Sequence, residues 1–137
     1  MIEISKNQIS PQQVIDRVKS DNSGCVVSYI GSIRNYSQNK PVLSVEYQDT
    51  EGDAENKLRE IAHEAGKRWQ LNGLAITHRI GKLKVGDINL VVAVASAHRK
   101  EGFAACQYTI DQFKQRLPTK KIETYQDGDS SVETRET

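Results

Sequence analysis

Cysteine is scarce in this sequence, and so are proline, tryptophan and phenylalanine: two, three, one and two among 137 residues. Neither Cys25 nor Cys106 has a second cysteine or a histidine at metal-ligand spacing, which argues against zinc. Cys25 sits in a strand pattern and Cys106 on an apolar helix stripe, so both read as small core hydrophobes of a reducing compartment. Long apolar runs are missing as well. The longest falls well short of the ~20 residues that span a bilayer. The opening MIEISKNQIS lacks the basic-then-apolar design of a secretory leader, so a cytoplasmic chain is expected. There is no surplus of one charge either: charged residues make up 27%, yet the net charge is +1. With no global basic field and no interleaving of aromatic and basic residues, nucleic-acid and membrane binding are disfavoured, and any cationic site has to be local. No Gly-rich phosphate loop, no Ser-His-Asp or Cys-His order and no paired-carboxylate site stands out.

What is present is the pattern of one domain over residues 1–137, a length that supports a real core. Ser10-Pro11-Gln12-Gln13 reads as a helix start, with Ser10 at the N-cap and Pro11 at the first helical position. Residues 25–33 read as a strand, 34–41 as a flexible polar loop and 42–48 as a second strand. Asp53 is placed to cap a helix in which Leu58, Ile61, Ala62, Ala65 and Trp69 recur at helical spacing. Strands are expected over 74–80 and 88–96, joined by a connector. In the latter, Ile88, Leu90, Val92 and Val94 should share one face and Val91, Ala93 and Ala95 the other, which makes it central. A helix over about 102–116 ends before Pro118, and 122–126 pairs with 131–134 across Asp127-Gly128. Two to three helices with mostly antiparallel strands define an α+β class.

The candidate chemistry lies where these elements end. The central strand runs out into His98-Arg99-Lys100, just ahead of a helix, a common place for ligand-binding groups. The Arg99 fork suits a phosphate, although a solvated polar strand end would look the same. Arg34 has the same placement after the strand 25–33. On the last helix Cys106, Ile110, Phe113 and Leu117 form a stripe, and Lys114 falls beside Phe103 at its edge. From position alone a snorkelling lysine is the simpler reading, and a pocket lysine used in proton transfer the sharper one. Lys120-Lys121 follows Pro118. Two strand ends, a helix rim and a basic pair would together build an anion pocket from side chains. His78 alternates with Leu74, Ile76 and Ile80 and reads as a hydrogen-bonded core histidine, while His63 lies off its helix stripe.

The stretches GCVVSYIGSIRNYS, LSVEY, ITHRIGKLKVGD, SAHRKEGFAAC, IDQFKQRLPTKKIE and SVETRE, in this order and spacing, resemble the family of large, catalytic subunits of molybdopterin synthase over nearly the whole chain. The resemblance implies an α+β fold of α/β-hammerhead type and a homodimer. At each end of the dimer it implies a small ubiquitin-like sulfur-carrier subunit with a Gly-Gly thiocarboxylate tail, which makes a heterotetramer. It implies transfer of two sulfurs from that tail to cyclic pyranopterin monophosphate, yielding the dithiolene of molybdopterin, with no metal or organic cofactor in the protein. Carried over residue by residue, it assigns Ser32, Ile33, Arg34, His98, Arg99, Lys114, Lys121, Ile122, Glu123 and Arg135 to the substrate, with Lys114 and Lys121 catalytic. Arg34, His98 and Arg99 would hold the substrate phosphate. The family pattern is not kept at Gln48, Thr50, Asp53, Thr119, Lys120 and Ser131. The alternative is a non-catalytic paralogue that keeps the anion pocket and the carrier contact.

Overall fold

The computed structural model describes residues 1–134, so the expected contribution of Arg135 lies outside the described residues. In chain order the elements are β1 (Ile2–Ser5), α1 (Pro11–Val18), β2 (Cys25–Ser32), β3 (Tyr36–Ser37), β4 (Lys40–Gln48), α2 (Ala54–Arg68), β5 (Gly73–Arg79), β6 (Gly81–Lys84), β7 (Ile88–Ser96), α3 (Arg99–Gln115), β8 (Lys120–Tyr125) and β9 (Ser130–Glu133). The fold is α+β, with three helices among the described residues.

One sheet runs β1-β5-β7-β2, in which β7 pairs antiparallel with both β5 and β2, and β1 joins β5 in parallel. A second runs β3-β4-β8-β9, with β6 also paired to β4. The central place of β7 follows from its period-two pattern of apolar residues on both faces. Leu90, Val92 and Val94 pack with Leu58 and Ile61 of α2 and with Ala105, Cys106 and Phe113 of α3. Val91, Ala93 and Ala95 pack with Val14 and Val18 of α1. At the N-terminus of α1 the Ser10 hydroxyl accepts the Gln13 N–H at 3.3 Å, with Pro11 at the first helical position. Among the described residues no helix is long and apolar enough to cross a membrane, and no group of His, Cys, Asp and Glu is placed to hold a metal ion.

Several elements differ from the pattern-based expectation. The short strands β1 and β6 carry too few residues to show a period, and each is held by long-range pairing, Ile4 with His78 and Leu83 with Val45. The segment 34–41 is a two-residue hairpin, turned by Gln38 and Asn39 at φ 55 and 61. Asp53 occupies the N-cap position of α2 without a side-chain cap bond, and Asp49 Oδ1 accepts the Ala54 N–H at 3.2 Å instead. Helix α3 starts three residues earlier than expected, so Arg99 is helical. Phe103 is 61% exposed, because α3 packs through Gly102, Ala105 and Thr109, whose small side chains allow close approach to the sheet. A β-carbon on Gly102 would lie 2.9 Å from Ser96 Oγ and 3.1 Å from Val27 Cγ2.

Ile88 also departs from its expected face. The β2–β7 register pairs Gly31 with Leu90 and Ser32 with Ile88, which leaves Asn89 unpaired in a β-bulge. The extra residue reverses the alternation, so Ile88 packs on the α1 side with Val91 and Ala93.

Candidate active site

A cleft of about 580 Å³ opens where the two sheets and the end of α3 meet. Its apolar floor is Ile33, Val45, Phe113 and Leu117. Three cations reach it from three elements: Arg34 just past β2, Lys114 in the last turn of α3 and Lys121 on β8. Each has a local reason for its place. Arg34 follows Ile33, whose burial to 6% fixes the strand end that carries it. Lys114 follows buried Phe113 and sits at the helix C-terminus, where the dipole favours a cation. Lys121 pairs with Tyr47 across the β8–β4 ladder. Arg34, Lys114 and Lys121 make no ion pair with a described residue, although the chain has seven such pairs elsewhere among described residues. Glu123 and Glu133 also line the cleft, with Glu133 opposite Lys121 in the β8–β9 register, so three cations face two carboxylates over an apolar floor; Arg34 offers the planar fork that phosphate oxygens fit.

Strand alternation sorts the neighbours of Lys121. Lys121 and Glu123 face the cleft with Tyr47 and Val45, their partners on β4. Ile122 pairs with Glu46 and Val132 on the other face and does not line the cleft. Lys120 likewise turns away, into a shallow depression with Thr50 and Pro118. Glu123 is held in place: its Oε1 accepts the Ser37 hydroxyl at 3.0 Å and the Tyr125 hydroxyl at 3.1 Å. Ser32 and Ile33 also line the cleft.

His98 and Arg99 lie elsewhere. They follow the C-terminal end of β7, while the cleft is at its N-terminal end, so roughly 25–30 Å of strand separates them. His98 is the N-cap residue of α3 at φ −127 and ψ 149, and the Ser96 hydroxyl donates to its carbonyl at 2.6 Å. Arg99 and Lys100 open the helix, where cations oppose the dipole and cost about 0.3–1 kcal/mol each. Stability alone therefore does not account for them. One chain brings together Ser32, Ile33, Arg34, Lys114, Lys121 and Glu123, and leaves Ile122, His98 and Arg99 apart.

Behind the cleft runs a buried polar chain. His78 is wholly buried between the rings of Tyr47 and Phe113, at 4.8 and 4.9 Å. Its Nδ1 donates to the Asn89 carbonyl at 2.9 Å, which fixes the tautomer, and its Nε2 accepts the Thr119 hydroxyl at 3.0 Å. Burial depresses its pKa to about 4, so the ring is neutral. Burial also pushes the Tyr47 hydroxyl up to about 12 and the Cys106 thiol up to about 11, which keeps both protonated. Tyr29, Tyr47 and Asn89 line the cleft and were not expected from the sequence. The two tyrosines carried a signal, since each alternates in phase with buried positions and so brings a polar tip to the end of an apolar face.

Fold and cleft together define an α+β domain whose cleft carries Arg34, Lys114 and Lys121 above an apolar floor. A family model described as MoaE protein matches residues 4–116, and the chain belongs to that family. It is 36% identical over 129 residues to the molybdopterin synthase catalytic subunit of Halalkalibacterium halodurans, covering 94% of this chain and 83% of that protein. It is 40% identical to the subunit of the same name from Escherichia coli, over 85% of this chain and 77% of that one. The crystal structure of molybdopterin synthase from Staphylococcus aureus superposes with a TM-score of 0.89 at 32% identity, covering 97% of this chain and 96% of that one.

Proposed function

We propose that this chain is the catalytic subunit of a molybdopterin synthase. It moves sulfur from the thiocarboxylated tail of a small carrier subunit to cyclic pyranopterin monophosphate, in the cytoplasm, where Cys25 and Cys106 stay reduced. The observation that carries the reading is the meeting of Arg34, Lys114 and Lys121 on one cleft in a chain of this family. Arg34 holds the substrate phosphate. Lys114 and Lys121 stabilise the negative charge that develops as thiocarboxylate sulfur attacks the substrate side chain, and they handle the accompanying proton. The extended carrier tail enters where the cleft opens to solvent. The persistence of all three cations, and the catalytic names of the relatives, support turnover over a non-catalytic binding role.

His98 and Arg99 enter this reading only through a second copy. Strand β2 is an edge of its sheet, with Ser28, Ile30 and Ser32 exposed. Its Cys25 end pairs with Ser96, close to His98, and its Ser32 end leads to Arg34. Two copies joined antiparallel along this edge by a two-fold axis would set the His98–Arg99 turn of each beside the Arg34 end of the other. The homodimer with one carrier per cleft then completes each anion site.

The test is single-turnover conversion of the pyranopterin precursor by this chain with thiocarboxylated carrier in excess. Formation of the dithiolene product is expected. Carrier binding without conversion would return the chain to the non-catalytic alternative, and absence of both would refute the reading.

A further inference from the structure

The bulge in β7 does more than displace Ile88. Without it, Asn89 would share a face with Val91 and Ala93, under α1. With it, the Asn89 side chain lines the cleft. Bulges recur beside active sites because they re-aim one side chain without disturbing the strand beyond. A polar residue redirected into a cleft, at the cost of an unpaired strand position, calls for a role that packing does not supply.

The amide is engaged at one end. Its Nδ2 donates to the Tyr47 hydroxyl at 3.0 Å, and the Asn89 backbone carbonyl is held by His78. The other end of the amide, Oδ1, points over Gly31: a β-carbon placed on Gly31 would lie 3.1 Å from Asn89 Oδ1 and 3.1 Å from the Tyr29 hydroxyl. Glycine at this point leaves room for the Tyr29 ring and the Asn89 amide, which a β-carbon would crowd. Asn89 Oδ1 has no hydrogen-bond partner among the described residues, and it is not sealed from solvent. The part of the cleft next to Tyr47 therefore presents Oδ1 as an acceptor, with Nδ2 engaged by the Tyr47 hydroxyl.

We infer that Asn89 is a specificity-determining residue: its Oδ1 accepts a hydrogen bond from an N–H group of the heterocyclic part of the substrate, while the cations hold its phosphate. The inference rests on the function proposed above and names which half of the substrate this wall reads. A pterin carries several N–H donors on its rings, and an acceptor facing them disfavours a ring that offers only acceptors there, because two acceptors would then face each other unpaired.

The experiment measures equilibrium binding of the pyranopterin precursor, and separately of inorganic phosphate, to the dimeric protein and two variants. Asn89→Leu keeps the side-chain volume and removes the acceptor. Tyr47→Phe keeps the ring and frees the amide to turn over. Loss of a hydrogen bond to a desolvated donor should weaken precursor binding about ten-fold or more in Asn89→Leu, and about three-fold in Tyr47→Phe, with phosphate binding unchanged in both. Should Asn89→Leu fail to fold, Tyr47→Phe decides alone. Wild-type affinity for the precursor in a folded variant would overturn the inference and leave the proposed function standing. Equal loss of precursor and phosphate binding would also overturn it, by showing that Asn89 merely shapes the cleft. Failure of the unaltered protein to bind the precursor at all would instead refute the function itself.

Discussion

Acidification should destabilise this protein through His78, and the size of the effect follows from its surroundings. The ring is wholly buried, both nitrogens are committed, and burial lowers its pKa from 6.5 to about 4, with the Asn89 carbonyl bond opposing the shift. Above the unfolded value both states hold a neutral imidazole, and the native contribution is complete. Between pH 6.5 and about 4 the unfolded chain binds a proton that the folded chain refuses, so stability falls as pH falls. Below about 4 the native ring protonates too, and this source of loss is exhausted. A shift of about 2.5 units at 1.36 kcal/mol per unit gives a full span of about 3 kcal/mol, of which about 2 kcal/mol is lost between about pH 7 and pH 4.5.

Denaturant unfolding of the wild type and His78→Phe at these two pH values isolates the effect. The phenylalanine fits between Tyr47 and Phe113 but leaves the Thr119 hydroxyl and the Asn89 carbonyl without their partner, so the variant starts less stable. What matters is the difference between the two proteins, from which the titration of every other group cancels. That difference should shrink by about 2 kcal/mol on going to the lower pH. A difference that stays constant would show that the folded protein takes up a proton on His78 as readily as the unfolded chain does, and would refute the reasoning.

Lys114→Met and Lys121→Met should keep fold and carrier binding yet lose about 10²–10⁴-fold in single-turnover rate, whereas Lys120→Met should be mild. A severe Lys120 defect with a mild Lys121 one would contradict the facing described for β8. Gly102→Ala should cost about 1–3 kcal/mol in denaturant unfolding, because its β-carbon meets Ser96 Oγ at 2.9 Å; an unchanged midpoint would mean that α3 can lift off the sheet freely. Ile30→Lys, placed on the exposed edge of β2, should convert a dimer to a monomer by light scattering, and a dimer that survives it would move the interface away from that edge.

Strong periodicity made the middle of the fold legible. Leu58, Ile61 and Ala65 are fully buried where their helical spacing put them, and Val91 to Ala95 are buried on both faces of the central strand. What escaped was structure whose cause lies far along the chain. Four residues of β1 show no pattern until β5 arrives some 70 residues later to pair with them. The start of α3 was hidden for the opposite reason, since Arg99 and Lys100 oppose the helix dipole and local preference placed the first turn beyond them. Phe103, at the edge of the apolar stripe beside Lys114, is exposed, because apolar identity marks a helix face only where side-chain size is uniform. On α3 the small residues determine which side can approach the sheet.

The cleft divides along the same line. Arg34, Lys114 and Lys121 could be singled out because each ends or follows a recognisable element, and polar groups at such ends need a reason. Asn89 could not, because period-two counting assigns it to the α1 side, and only the register of β2 against β7 reveals the skipped residue. A bulge is a relation between two strands and leaves no mark on either sequence alone. The physical consequence is that the residues which hold charge in this cleft are visible one element at a time, while a residue that would read the uncharged part of a ligand depends on how two elements are fitted together. Register, more than composition, therefore sets which ligand the cleft accepts, and shifting the bulge by one residue would carry Asn89 out of the cleft while leaving Arg34, Lys114 and Lys121 where they are.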